Sequence, residues 1–165
     1  MTPFDEELLR SAAIGIGATA VMDMWLLLLQ FLNVPTLNFA LLGRWVGHMP
    51  QGHWRHDGIA KAAPVRGELA LGWVVHYATG IVFATLLAYV AGPQWLRAPT
   101  VAPALALGIV TVAVPLLVMQ PAMGAGIASM RTKTPALNCL KSLVNHTIFG
   151  LGLYVAALAA SIFLS

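Results

Sequence analysis

The sequence predicts an all-α membrane protein: four transmembrane helices, with a short interfacial helix in the first cytoplasmic loop. Hydrophobic residues make up 59% of the 165-residue chain and charged residues only 9%, against roughly 25% charged in an ordinary soluble domain. The mean hydropathy of +0.80 is concentrated in four apolar blocks, residues 11–32, 69–91, 101–119 and 143–164. Each is close to the roughly 20 residues that a hydrocarbon core requires. Nothing between the blocks is long enough for a separate globular domain, so residues 1–165 read as one membrane domain.

The first block follows "MTPFDEELLR", in which Asp5, Glu6 and Glu7 face a single Arg10. A signal peptide opens on a basic region, and the apolar run continues well past the small residues at 18–20, so the block is expected to be retained. Between residues 36 and 49, "TLNFALLGRWVGHM" spaces Phe39, Leu42, Trp45, Val46 and Met49 at helical intervals, with Thr36 as the expected N-cap. Its tryptophan and arginine suit a helix lying at the membrane surface. Pro50, Gly52, Gly58, Pro64 and Gly67 then break the chain into loop.

The second block reads "GWVVHYATG" (72–80) and the fourth "SLVNHTIFG" (142–150). Gly72, His76 and Gly80 share the i, i+4, i+8 spacing of Ser142, His146 and Gly150, which raises a 2+2 helix repeat. Each histidine lies on one face between small residues that admit a neighbouring helix. In the third block Pro115, one turn after Thr111, is expected to bend the helix. The small, flexible "PAMGAGIASMRTKTP" (121–135) is compatible with a re-entrant loop.

Basic residues give the orientation. The loop 33–68 carries Arg44, Arg55, Lys61 and Arg66, and the loop 120–142 carries Arg131, Lys133 and Lys141; the other side has Arg10 and Arg97. Seven against two places both loops in the cytoplasm and both termini outside. The net charge of +3 lies mainly in these loops and is no nucleic-acid signal; the expected partner is the lipid bilayer, with a homodimer or a larger membrane complex beyond it. The single cysteine, Cys139, excludes an intrachain disulfide and a cysteine-cluster metal site.

Asp23 stands in the middle of "ATAVMDMWLLLLQF" (18–31), where a charge costs about 2.5–3.5 kcal/mol on insertion scales. At 1.5 Å per residue, Asp23, His76 and His146 lie roughly 13, 10 and 5 Å from the cytoplasmic ends of their blocks. Three ionisable groups at similar depth support three readings: a divalent transition-metal site for Zn, Fe or Mn, a proton or small-ion relay, or structural pairing. A haem b held between His76 and His146 is a narrower variant, to which Asp23 adds nothing. Met22, Met24, Met119 and Met123 offer thioethers to Cu(I), although methionine more often fills gaps.

In "GHMPQGHWRHD" (47–57), which also holds His48, the pair His53 and His56 is a weaker metal candidate, with Asp57 able to orient one imidazole. Arg131 and Lys133, beyond the glycines at 124 and 126, are weak candidates for a lipid headgroup or phosphate. Neither GxSxG nor HExxH occurs, and no spacing singles out Glu68 or Asp57 as a base. The reading leans away from an enzyme.

The stretches "MDMW" (22–25), "GRWVGHMPQG" (43–52), "GELALGWVVHYATG" (67–80), "MQPAMGAGIAS" (119–129) and "HTIFGLGLY" (146–154) together resemble DUF2938, a family of bacterial membrane proteins. The resemblance covers nearly the whole chain. It implies a small multi-helix protein of the bacterial inner membrane and carries no catalytic residues. Three function classes therefore stand: an intramembrane polar site for a metal or for proton or small-ion passage; an accessory subunit whose polar groups lock helix register; and a membrane-embedded enzyme acting on a lipid or quinone.

The orientation is checked with topology reporters. A fusion after Ser165 should read as external and an insertion at Gln51 as cytoplasmic; the reverse pattern would overturn the charge argument.

Overall fold

The computed structural model describes residues 2–163, and among them only helices, turns and irregular chain occur, without strands. The helices are α1 (Pro3–Phe31), α2 (Phe39–His48), α3 (Glu68–Ala91), α4 (Val101–Ala122) and α5 (Pro135–Phe163). All but α2 are long and apolar enough to cross a membrane, as a multi-pass membrane protein requires. Large apolar side chains such as Leu27, Val82, Val110 and Ile162 stand exposed on them, an arrangement suited to lipid and not to water.

Four boundaries differ from the sequence expectation, each for a local reason. α1 begins at Pro3 because Thr2 and Asp5 form a capping box: Thr2 Oγ1 accepts from the Asp5 amide at 3.2 Å and Asp5 Oδ2 from the Thr2 amide at 2.8 Å. The acidic stretch ahead of the first apolar block is thus the first turn of the helix. α2 is capped by Asn38 and not by Thr36; Asn38 Oδ1 accepts from the Ala40 amide at 3.0 Å. α5 starts at Pro135, eight residues before its apolar block, with proline at the position where a missing N–H costs nothing. α4 runs on to Ala122 through a π-helical segment, Pro115–Met119, so the perturbation at Pro115 is a widened turn in which the Gln120 amide reaches back to Pro115 O.

The chain clusters into two compact units. The first comprises residues 1–35, 77–111 and 145–165. Its core is built of small and aliphatic side chains, among them Ile14, Ala18, Ala84, Leu87, Leu96 and Leu153. Helices here meet backbone to backbone. A Cβ on Gly15 would lie 2.5 Å from Ile81 Cα, and one on Gly80 would run into Thr19 Oγ1. A Cβ on Gly108 would lie 2.6 Å from both Gly150 Cα and His146 O, and one on Gly152 would lie 2.9 Å from Ala18 O. These are the small-residue seams by which helices associate where lipid supplies no hydrophobic drive.

The second unit comprises residues 36–76 and 112–144. α2 packs on the first turns of α3 through Gly43 and Gly72, whose added Cβ atoms would collide with Glu68 O and Phe39 O respectively. Phe39 stacks on Trp73 with ring centroids 4.3 Å apart. The apolar face of α2 is therefore spent on α3, with Phe39 and Leu42 buried. Arg44 fastens this corner: its Nε and Nη2 donate to Glu68 Oε2 and Oε1, both at 2.8 Å, and Nη1 donates to Ala62 O at 3.1 Å and Ala60 O at 3.3 Å. Hydrogen bonding to Glu68 raises the guanidinium's pKa still further.

Gly108→Ala should destabilise the protein by about 1–3 kcal/mol, the usual cost of overpacking, because backbone atoms cannot yield. Gly58→Ala, whose Cβ would meet nothing closer than Lys61 Cδ at 3.9 Å, should fall within about 0.5 kcal/mol of wild type. Equilibrium unfolding in mixed detergent compares the two, and equal effects would refute the seam.

Candidate functional site

Asp23 lies on the seam between α1 and α3. It sits two turns beyond Gly15 and one beyond Thr19, so the residues that let α3 approach also present the carboxylate to it. Tyr77 Oη donates to Asp23 Oδ2 at 2.8 Å. Two residues on, Trp25 Nε1 donates to Asn145 Oδ1 at 2.9 Å, joining α1 to α5.

His146 occupies the corresponding position on the α4–α5 seam. Its Nδ1 lies 3.0 Å from Thr111 Oγ1, and the Thr111 hydroxyl donates to Gly108 O at 2.8 Å. A hydroxyl has one proton to give. With that proton committed to the carbonyl, Thr111 accepts from His146 Nδ1–H, and the network assigns the lone pair to Nε2.

His76 belongs to the second unit, where its ring packs on Phe39 at 4.6 Å and on Trp73 at 5.9 Å between centroids. Asp23 and His146 are therefore each placed against a hydroxyl, and His76 against aromatic rings. Among the described residues, no group of three or more His, Cys, Asp and Glu side chains stands ready to hold a metal ion.

The weaker candidates lie in the second unit. His53 is exposed and His56 half-buried. His48, at the C-terminal end of α2, joins them, with its ring 5.1 Å from His56 and 6.3 Å from His53. Arg131 and Lys133 are exposed on the loop after α4, where the Arg131 amide donates to Ala125 O at 2.8 Å. Glu68 is held in the Arg44 fork and also accepts from the Val65 amide at 2.9 Å, which fits an anchor better than a base.

Sequence reading passed over Tyr77, the hydroxyl partner of Asp23, and did not treat His48 as a third member of the histidine group. The signal for Tyr77 was present, since it lies three residues before Gly80 on the same helix face. His48 left no comparable signal.

The model of one protein family, described as a protein of unknown function (DUF2938), matches residues 12–160. No curated protein and no solved structure matches the chain.

The Asp23–Tyr77 bond is tested by a double-mutant cycle on Asp23→Asn and Tyr77→Phe. A coupling of roughly 0.6–1.7 kcal/mol is expected, the range for interhelical side-chain hydrogen bonds in membranes; strictly additive effects would deny the contact.

Proposed function

The chain belongs to the DUF2938 family, and from that premise we propose that it is an inner-membrane protein that passes protons or a small cation through an intramembrane polar site centred on Asp23. The observation that carries this reading is the Tyr77 Oη–Asp23 Oδ2 bond of 2.8 Å inside an apolar span. A carboxylate kept at mid-helix with a phenol hydroxyl donating to it can bind and release a proton while that hydroxyl stays in place, since a hydroxyl both donates and accepts. An ionisable group in such a span is a functional candidate by default.

Tyr77 stabilises the carboxylate by donating to it; once Asp23 takes up a proton, the same hydroxyl can accept instead. His146, oriented through Nδ1 by Thr111, offers Nε2 as a second proton acceptor on a neighbouring seam. The orientation from the basic loops puts these groups nearer the cytoplasmic face.

One observation favours a second reading, in which the polar pairs only lock helix register within a larger complex. Trp25–Asn145, Tyr77–Asp23 and Thr111–His146 each join two different helices. The glycine seams, however, already find partners within the chain, which leaves that reading without the free packing faces it calls for.

Purified protein in liposomes containing a pH-sensitive dye distinguishes the two. Wild-type protein should dissipate an imposed pH or cation gradient, and Asp23→Asn should lower the rate at least tenfold while remaining folded. A wild type without flux, or an Asp23→Asn variant with full flux, would sink the passage reading.

A further inference from the structure

The end of α2 and the loop that follows it hold two buried nitrogens without partners. His48 is 8% exposed, and neither His48 Nδ1 nor His56 Nε2 has a hydrogen-bond partner. Leaving a buried polar group unsatisfied is costly, and native chains seldom retain two side by side without a use for them.

The backbone fixes both rings. Gly52, with φ +82°, turns the chain after the Met49–Gln51 turn, and the His53 amide returns to His48 O at 3.3 Å. The His56 amide donates to Ala122 O at 2.8 Å and the Ile59 amide to Met123 O at 3.0 Å, tying this loop to the one that follows α4. The His48 and His56 rings end 5.1 Å apart at 43°. Both line a hollow of about 380 Å³ with Gln51, His53 and Arg55, and these last three are exposed, so the hollow is reached from solvent.

We propose that His48 and His56 bind a divalent transition metal of the zinc class, with exposed His53 swinging in as third ligand and water completing the shell. Neutral imidazole nitrogens are ligands for Zn, Cu and Ni and poor ones for Mg and Ca, and Zn–N bonds of about 2.0–2.1 Å suit two rings already in contact. No three such side chains converge as the loop stands, so the site is a preset pair that His53 closes on binding. Arg55 beside the hollow makes an anion such as phosphate the competing ligand. The unpartnered nitrogens favour the metal, because two imidazoles lining one hollow can become its ligands without giving up a hydrogen bond.

The site is independent of the passage reading, and one series of measurements separates them. Full-length protein in detergent is titrated with Co²⁺, read by its visible ligand-field bands, and then with Zn²⁺. Expected are one Co²⁺ per chain, displaced by Zn²⁺, a loss of affinity above tenfold in His56→Gln and in His48→Ala, and a few-fold loss in His53→Ala. His56 is only half-buried, so its glutamine variant keeps the test sound should His48→Ala fail to fold. Asp23→Asn should retain the metal. Absence of a cobalt spectrum in wild type, undiminished binding in folded His56→Gln, or loss of binding in Asp23→Asn would overturn the proposal. Saturable binding of inorganic phosphate that depends on His56, without a cobalt band, would overturn it in favour of an anion site.

Discussion

Helices in a bilayer gain nothing from hiding apolar surface, since lipid is as apolar as leucine, and close backbone approach has to bring them together. In this chain that approach is made by a few glycines, and the polar groups depend on it. Gly15 and Gly80 open the seam along which Asp23 reaches Tyr77; Gly108 and Gly150 open the seam along which Thr111 reaches His146. In both cases the polar contact lies one or two turns along the same helix faces from the glycine contact. A short hydrogen bond between side chains of ordinary length requires helix axes this near. Packing and polar chemistry are thus one constraint.

The second unit follows a different economy, because charge is available to it. Arg44 presents a planar fork to Glu68 and spends its remaining donors on the carbonyls of Ala60 and Ala62, so one side chain ties a helix, the start of the next and the loop between them. Bidentate geometry gives that contact direction as well as strength. The loop so fastened is the one whose His56 and Ile59 amides pair with Ala122 O and Met123 O. The position of the histidine group is therefore a consequence of backbone pairing between two loops far apart in sequence.

This division explains what the sequence could and could not disclose. Apolar blocks located the four spans to within a few residues wherever hydrophobicity defines the helix end, as at Ala91 and Val101. They failed where a helix continues beyond its apolar part: Asn138, Lys141 and Ser142 belong to α5 although their polarity reads as loop. The seam of Asp23 was legible as Gly15, Thr19 and Asp23 at i, i+4, i+8, but reading for charge stopped at His76 and passed over its neighbour Tyr77, whose uncharged phenol donates to the carboxylate. His48 was beyond reach, since its burial arises from pairing that no local pattern encodes.

The loop after α4 carries two consecutive non-glycine residues, Ala128 (φ 49°) and Ser129 (φ 60°), in the left-handed region, each at roughly 1–2 kcal/mol above its preferred conformation. Within the loop the Arg131 amide donates to Ala125 O at 2.8 Å and the Thr132 amide to Ser129 O at 2.9 Å. The shape is also held from outside, by Gln120, whose carbonyl takes the Ala125 amide at 2.8 Å and whose side chain takes the Ser129 hydroxyl at 2.9 Å, and by Cys139, whose thiol reaches Ala128 O at 3.2 Å. Residues held in that region persist only where the surrounding contacts over-determine them. The loop's form is therefore tied to both neighbours at once, and fraying at the end of α4 or in the first turns of α5 would loosen it.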